Sequence, residues 1–134
     1  MYNLDMKTET KEQRVKRILS QLEKRYPSIK AYDLDGRGKH FYSEIDPVAD
    51  HPEYDRVIEV IISSKPHKHL KMTQRCTILS GTLKLHVGKK TVILQPGDKY
   101  VIHPGNVHWA TSENECRLEI YSEPGWTEED HILV

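Results

Sequence analysis

His67-Lys68-His69-Leu70-Lys71-Met72-Thr73-Gln74-Arg75-Cys76-Thr77-Ile78-Leu79-Ser80-Gly81 is the stretch from which the fold is read. Side chains at i and i+2 of a strand project from one face, so His67 and His69 stand together a few ångströms apart. Gln74 shares its parity with Cys76 and Ile78, which directs it inward with them. Gly81 then turns the chain into the next strand. Two inward imidazoles on one strand are a natural half of a metal site, and neutral imidazoles suit Zn, Fe, Ni or Cu. A third, His108, follows the turn Pro104-Gly105-Asn106 and is placed to close the site from another strand.

On both sides of this stretch, turn residues recur every eight to twelve positions: Asp35-Gly36-Arg37-Gly38, Ser80-Gly81, Gly88-Lys89-Lys90, Pro96-Gly97-Asp98, Pro104-Gly105-Asn106 and Pro124-Gly125. Short β-rich runs lie between them, at 56–62, 75–79, 82–87, 91–94, 99–103 and 116–121. That rhythm predicts an antiparallel sandwich or barrel over residues 31–134. Residues 1–30 read as a helical extension. Thr10-Lys11-Glu12-Gln13 has the form of a capping box, and Val15, Ile18, Leu19, Leu22 and Tyr26 follow at helical spacing until Pro27 stops them. Its charged face reads as solvated.

The chain has 134 residues, enough for one ordinary domain and too few for a two-domain enzyme. Twenty basic residues balance twenty acidic ones, which argues against a nucleic-acid binder working through bulk positive charge. Met1 to Arg17 is densely charged without an apolar core of signal-peptide length, and the greasiest run, Val57 to Ile62, is interrupted by Glu59. The expectation is a cytoplasmic protein with no membrane partner and with Cys76 and Cys116 as reduced thiols. Val57 to Ile62 is also greasier on both faces than a solvent edge should be, which predicts a homodimer through that strand. Cover by the amino-terminal helix is the alternative.

Residues 56 to 122 resemble the cupin superfamily, whose first motif is G-x5-H-x-H-x(3,4)-E-x6-G and whose second is G-x5-P-x-G-x2-H-x3-N. Here the first reads His67-x-His69-x4-Gln74-x6-Gly81, with Ile61 in place of the leading Gly and Gln in place of Glu. The second reads Gly97-x5-His103-x-Gly105-x2-His108, with His in the Pro position and Ser112 in the Asn position. The resemblance implies an all-β fold, a single jelly-roll barrel (double-stranded β-helix). It makes His67, His69 and His108 metal ligands with Gln74 at the fourth position, for a divalent transition ion such as Zn, Mn, Fe or Ni. An amide is neutral and ligates weakly, so the ion would keep its full charge and favour an anionic or enediolate-like ligand.

The run Leu118 to Ile132, which holds Gly125-Trp126 and Glu128-Glu129-Asp130, is similar to the end of type II mannose-6-phosphate isomerase cupins. That implies isomerase- or epimerase-type chemistry on a small, anionic or sugar-like molecule. The first motif lacks the triple His and Arg-Ser-Glu of that subfamily. The other readings are a three-His Fe(II) dioxygenase and a non-catalytic ligand-binding barrel. Lys71, His103 and Tyr121 are the candidate proton carriers; Tyr100, Tyr121 and Trp109 are candidates for the pocket wall. His40, His51, His86 and His131 have no role from sequence.

Overall fold

A computed structural model describes residues 9–134. The first eight residues, part of the stretch read above for a signal peptide, lie outside the described residues. No described helix is long and apolar enough to cross a membrane.

Helix α1 spans Lys11–Arg25. Its start is fixed by the capping box: the Gln13 N–H donates to Thr10 Oγ1 (3.1 Å) and the Thr10 N–H donates to Gln13 Oε1 (2.9 Å), satisfying two donors that a helix start otherwise leaves unpaired. The remainder is β: β1 (Ala31–Asp33), β2 (His40–Asp46), β3 (Asp55–Ser63), β4 (His67–Lys68), β5 (Thr73–Ser80), β6 (Leu83–Val87), β7 (Lys90–Leu94), β8 (Lys99–Ile102), β9 (His108–Glu123) and β10 (Ile132–Leu133), with a 3₁₀ turn at Glu128–Asp130 before β10.

All pairings are antiparallel, and they curl one sheet into a barrel. Strand β9 is its spine. One edge of β9 pairs with β3 and β4 and the other with β5 and β6, so four strands take their register from it. The six runs expected from sequence are all strands, but β9 begins at His108 rather than Cys116, and β1, β2, β4 and β10 come in addition. Gly81 makes the β5–β6 turn at φ +80°, where a Cβ would collide with the Glu115 carbonyl on β9.

Strand β3 corrects the basis for the expected homodimer. It is an interior strand, paired with β2 on one side and β9 on the other. Its odd-numbered residues Asp55, Val57, Glu59 and Ile61 face the barrel interior, while Ile58 and Val60 pack outward with Phe41 and Ala31 against Ile18 and Leu22 of α1. The second greasy face is therefore covered by the chain's own helix. Arg17 ties the helix to the barrel through its ion pair with Glu115. The main core fills the interior from β5, β6 and β9, with Ile78, Leu83 and Leu118 almost fully buried. Cys76 and Cys116 are free and buried within it.

Leu22 has no exposed surface. Leu22→Ala should lower the unfolding free energy by about 2–5 kcal/mol in urea titrations. Lys16→Ala on the opposite face should change it by less than about 0.5 kcal/mol.

Candidate metal centre

His67 on β4 lies directly opposite His108 on β9, and His69 follows two residues on, just past the end of β4. The ring centroids are 4.2 Å apart for His67 and His108, 5.1 Å for His67 and His69, and 5.8 Å for His69 and His108. One ring nitrogen from each lies within 4.8 Å of the others, and all three residues are buried.

Hydrogen bonds settle which nitrogens these are. His67 Nδ1 meets the Lys65 carbonyl (2.8 Å), His69 Nδ1 the Asp130 carbonyl (2.9 Å) and His108 Nδ1 the Asn106 carbonyl (3.1 Å). A carbonyl only accepts, so each Nδ1 carries the proton and each Nε2 presents a lone pair. Burial holds all three rings neutral. It lowers the His67 pKa to about 3, helped by the neighbouring His108, and the His69 pKa to about 4, helped by the same ring; His108 is lowered too, against the pull of its Asn106 hydrogen bond. Three neutral imidazoles with oriented Nε2 atoms form a group that can hold a metal ion.

The carboxyl-terminal segment sets the third ring. Asp130 Oδ1 accepts the Leu70 and Lys71 N–H groups (2.8 and 3.0 Å) and Oδ2 accepts that of Met72 (3.1 Å), while its carbonyl takes the His69 Nδ1 proton. From the other side, the Gly105 N–H donates to the His69 carbonyl (2.6 Å). His131 stacks on His67 (4.7 Å, 25°) and leaves its own buried Nδ1 without a partner.

The imidazoles open onto a cavity of about 150 Å³ inside the barrel. An apolar cavity of that size accepts a benzene ring, so a group of monosaccharide-ring dimensions is the scale to consider. Gln74 is buried and lines it, as its parity predicts. Trp109 lines it as well, and Trp126, 39% exposed, stands at its mouth. Cys76 faces it, but burial pushes that thiol up to about 12, so it is not a thiolate at neutral pH.

The three candidate proton carriers lie elsewhere. The Lys71 and His103 side chains are exposed, and Tyr121 lies on the outer face of β9, where it stacks on Tyr54 and its hydroxyl donates to Glu123 (3.3 Å). None of the three lines the cavity, and neither does Tyr100. The acid–base groups that do line it went unread: Glu44, Asp55 and Glu59, with His40 bound to Glu59 (Nε2 to Oε1, 2.7 Å) and with His131. His40-Phe41-Tyr42-Ser43-Glu44-Ile45 alternates as a strand does, which is the signal that could have found two of them. His86 stacks on Trp109 beside the cavity wall, and His51 pairs with Asp46 at the surface.

The architecture is that of a small single-barrel protein with a histidine-lined interior site. The Cupin_2 family, described as "Cupin domain", matches residues 58–122. Solved structures of the same fold include KdgF from Halomonas sp. (17% identity over 71% of this chain and 87% of that one, TM-score 0.62). Pac13 from Streptomyces, described as a nucleoside dehydratase, shares 14% identity over 79% and 84% (TM-score 0.66). An RmlC-like cupin from Shewanella frigidimarina shares 16% over 78% and 90% (TM-score 0.63). No curated protein sequence matches at a significant level. Residues 58–122 thus form a cupin domain, and the chain has the cupin fold.

Because the imidazoles are already neutral, zinc uptake should displace few protons from them. At pH 6, three unperturbed imidazoles would release about two. Calorimetry in buffers of different ionisation enthalpy should find less than about half a proton per zinc. Asp130→Asn, which loosens the hold on His69 and residues 70–72, should weaken zinc binding about 10- to 100-fold in competition with a chromogenic chelator.

Proposed function

We propose that this cupin is a metal-dependent enzyme of isomerase or epimerase type, acting on a small sugar-like molecule held at His67, His69 and His108. The observation that carries the metal reading is the matched set of three Nδ1–H to carbonyl hydrogen bonds, which leaves each Nε2 lone pair free in a buried group whose ring nitrogens approach within 4.8 Å of one another. Gln74 on the same cavity wall is the fourth donor in this reading. A bound divalent ion would polarise a carbonyl and the adjacent hydroxyl, acidifying the proton between them.

Of the two ligand classes expected from sequence, the cavity favours the sugar-like one over the anionic one. Among the described residues its lining includes three carboxylates and two tryptophans and no Lys or Arg. Phosphate recognition relies on charged forks or helix N-termini, which this wall lacks, whereas carboxylates accept hydroxyl protons and indoles cover the apolar faces of a ring. Proton-transfer chemistry is preferred to the dioxygenase reading because it uses acid–base groups, and the cavity has them. The fold shared with a nucleoside dehydratase is compatible with such substrates.

Protein purified without a polyhistidine tag or added metal should contain about one transition ion per chain by elemental analysis. His69→Ala should lose it; equal metal in both proteins would sink the metal reading. Gln74→Glu should retain the ion against chelator for longer. A screen of free aldoses by NMR should find aldose–ketose or epimer exchange that requires the ion.

A further inference from the structure

With Lys71, His103 and Tyr121 outside the cavity, the proposed reaction needs a proton carrier from among the groups inside. Three carboxylates face the interior, and their surroundings separate them. Asp55 is 1% exposed, and its Oδ2 accepts the Trp126 N–H (2.8 Å), so this carboxylate is engaged in bracing the Trp126 segment. Glu44 lies near the end of β2, opposite Val57, beside the loop that leads to β3.

Glu59 is placed differently. It lies mid-strand on β3, flanked by Tyr42 on β2 and Leu118 on β9 in the sheet register. Its carboxylate holds His40 at 2.7 Å through Oε1. Its charge reaches the far wall. It acts on His108, on His131 stacked over His67, and on the Cys76 thiol of β5. Of the three, it is the carboxylate whose charge is felt at both His108 and His131.

We propose that Glu59 is the catalytic acid–base of this cavity, and that His40 is the residue that positions it. The inference rests on the isomerase-type reading above. His40 is 95% buried, and its side chain is hydrogen-bonded to Glu59 Oε1, which leaves Oε2 outside that bond. Burial works against a charge on His40, but the Glu59 carboxylate outweighs it and the pKa stands above its ordinary value. The Glu59 contact thus favours the charged form of His40 and fixes where the carboxylate lies. The other titratable groups around Glu59 are Tyr42 on β2, Asp55 on β3, Cys76 on β5, His108 on β9 and His131.

The ligand class is an α-hydroxy aldehyde or ketone. The C2–H bond of an open-chain aldose breaks and its proton forms an O–H bond on Glu59, the electron pair staying in the enediolate. The hydroxyl proton on O2 passes to O1. Glu59 then returns its proton to C1, giving the ketose; where the O2 hydroxyl keeps its proton instead, protonation of C2 on the opposite face restores the C1 aldehyde and gives the epimer. No electrons leave the ligand and no co-reactant is consumed.

The test is the loss of the C2–H signal of D-glyceraldehyde, D-lyxose and D-mannose in D₂O, followed by NMR with the zinc- or manganese-loaded full chain. Wild type should exchange at least one of them. Glu59→Gln should be at least about 100-fold slower, with metal content and aldose affinity by calorimetry within about twofold of wild type, and Glu59→Asp should recover part of the rate. His40→Gln should move the pH profile of exchange. Independently of turnover, the His40 ring should titrate at lower pH in Glu59→Gln than in wild type. Exchange by Glu59→Gln within about threefold of wild type overturns the assignment and leaves the isomerase reading standing, as does loss of metal from that variant. Metal-loaded wild type that exchanges none of the three overturns both.

Discussion

Strand β9 is the constraint on which the remainder of the structure depends. It is paired on both edges along most of its sixteen residues, and the cavity strands β3, β4, β5 and β6 take their register from it. His108 at its start is fixed opposite His67, and Ser122 near its end lies between Asp55 and Gln74. A slip of one residue would send each inward side chain of β9 to the outer face and replace His108 by Trp109 or Val107. Interior apolar residues such as Leu118 and Ile120 make that slip costly, so the hydrophobic core also keeps the histidines in register.

Three imidazoles this close would repel one another as cations, and burial prevents it by holding each ring neutral. The Nδ1 protons are tied to carbonyls of three separate segments, so no single loop orients all three rings. His69 relies on the carboxyl-terminal turn, where one aspartate serves as a side-chain cap for residues 70–72 and as a backbone acceptor for the ring. Local structure about sixty residues away in sequence thereby sets the direction of a lone pair.

Much of this was legible in the sequence. The capping box and the i, i+3, i+4 pattern located α1, and strand parity placed His67, His69 and Gln74 inward. Strand β2 was missed because its inward residues are His40, Tyr42 and Glu44: where a strand faces a polar cavity, the apolar side is the outer one, here under α1. Tyr121 lies outside the cavity because its parity on β9 is opposite to that of Ile120 and Ser122, which line it. Lys71 lies next to a motif in sequence, yet Asp130 holds its backbone N–H and its side chain stays outside. The acidic tail was read as a family signature; its physical work is done by Asp130 and His131, and hydrogen bonds across sixty residues leave no local pattern to read.

The glutamine at position 74 gains meaning from the carboxylates that line the same cavity. A carboxylate at the fourth ligand position would neutralise part of a bound ion's charge and, being ligated, would be a poor proton acceptor. With an amide there, the acid–base function we propose falls to another strand, where Glu59 is paired with His40 instead of with a metal. In that reading the ion and the proton acceptor are held by different elements, the imidazoles on and beside β4 and β9 and Glu59 on β3, with Glu59's charge felt at His108. That separation is what proton abstraction from a polarised carbon requires, since the developing negative charge and the departing proton must be received at different places.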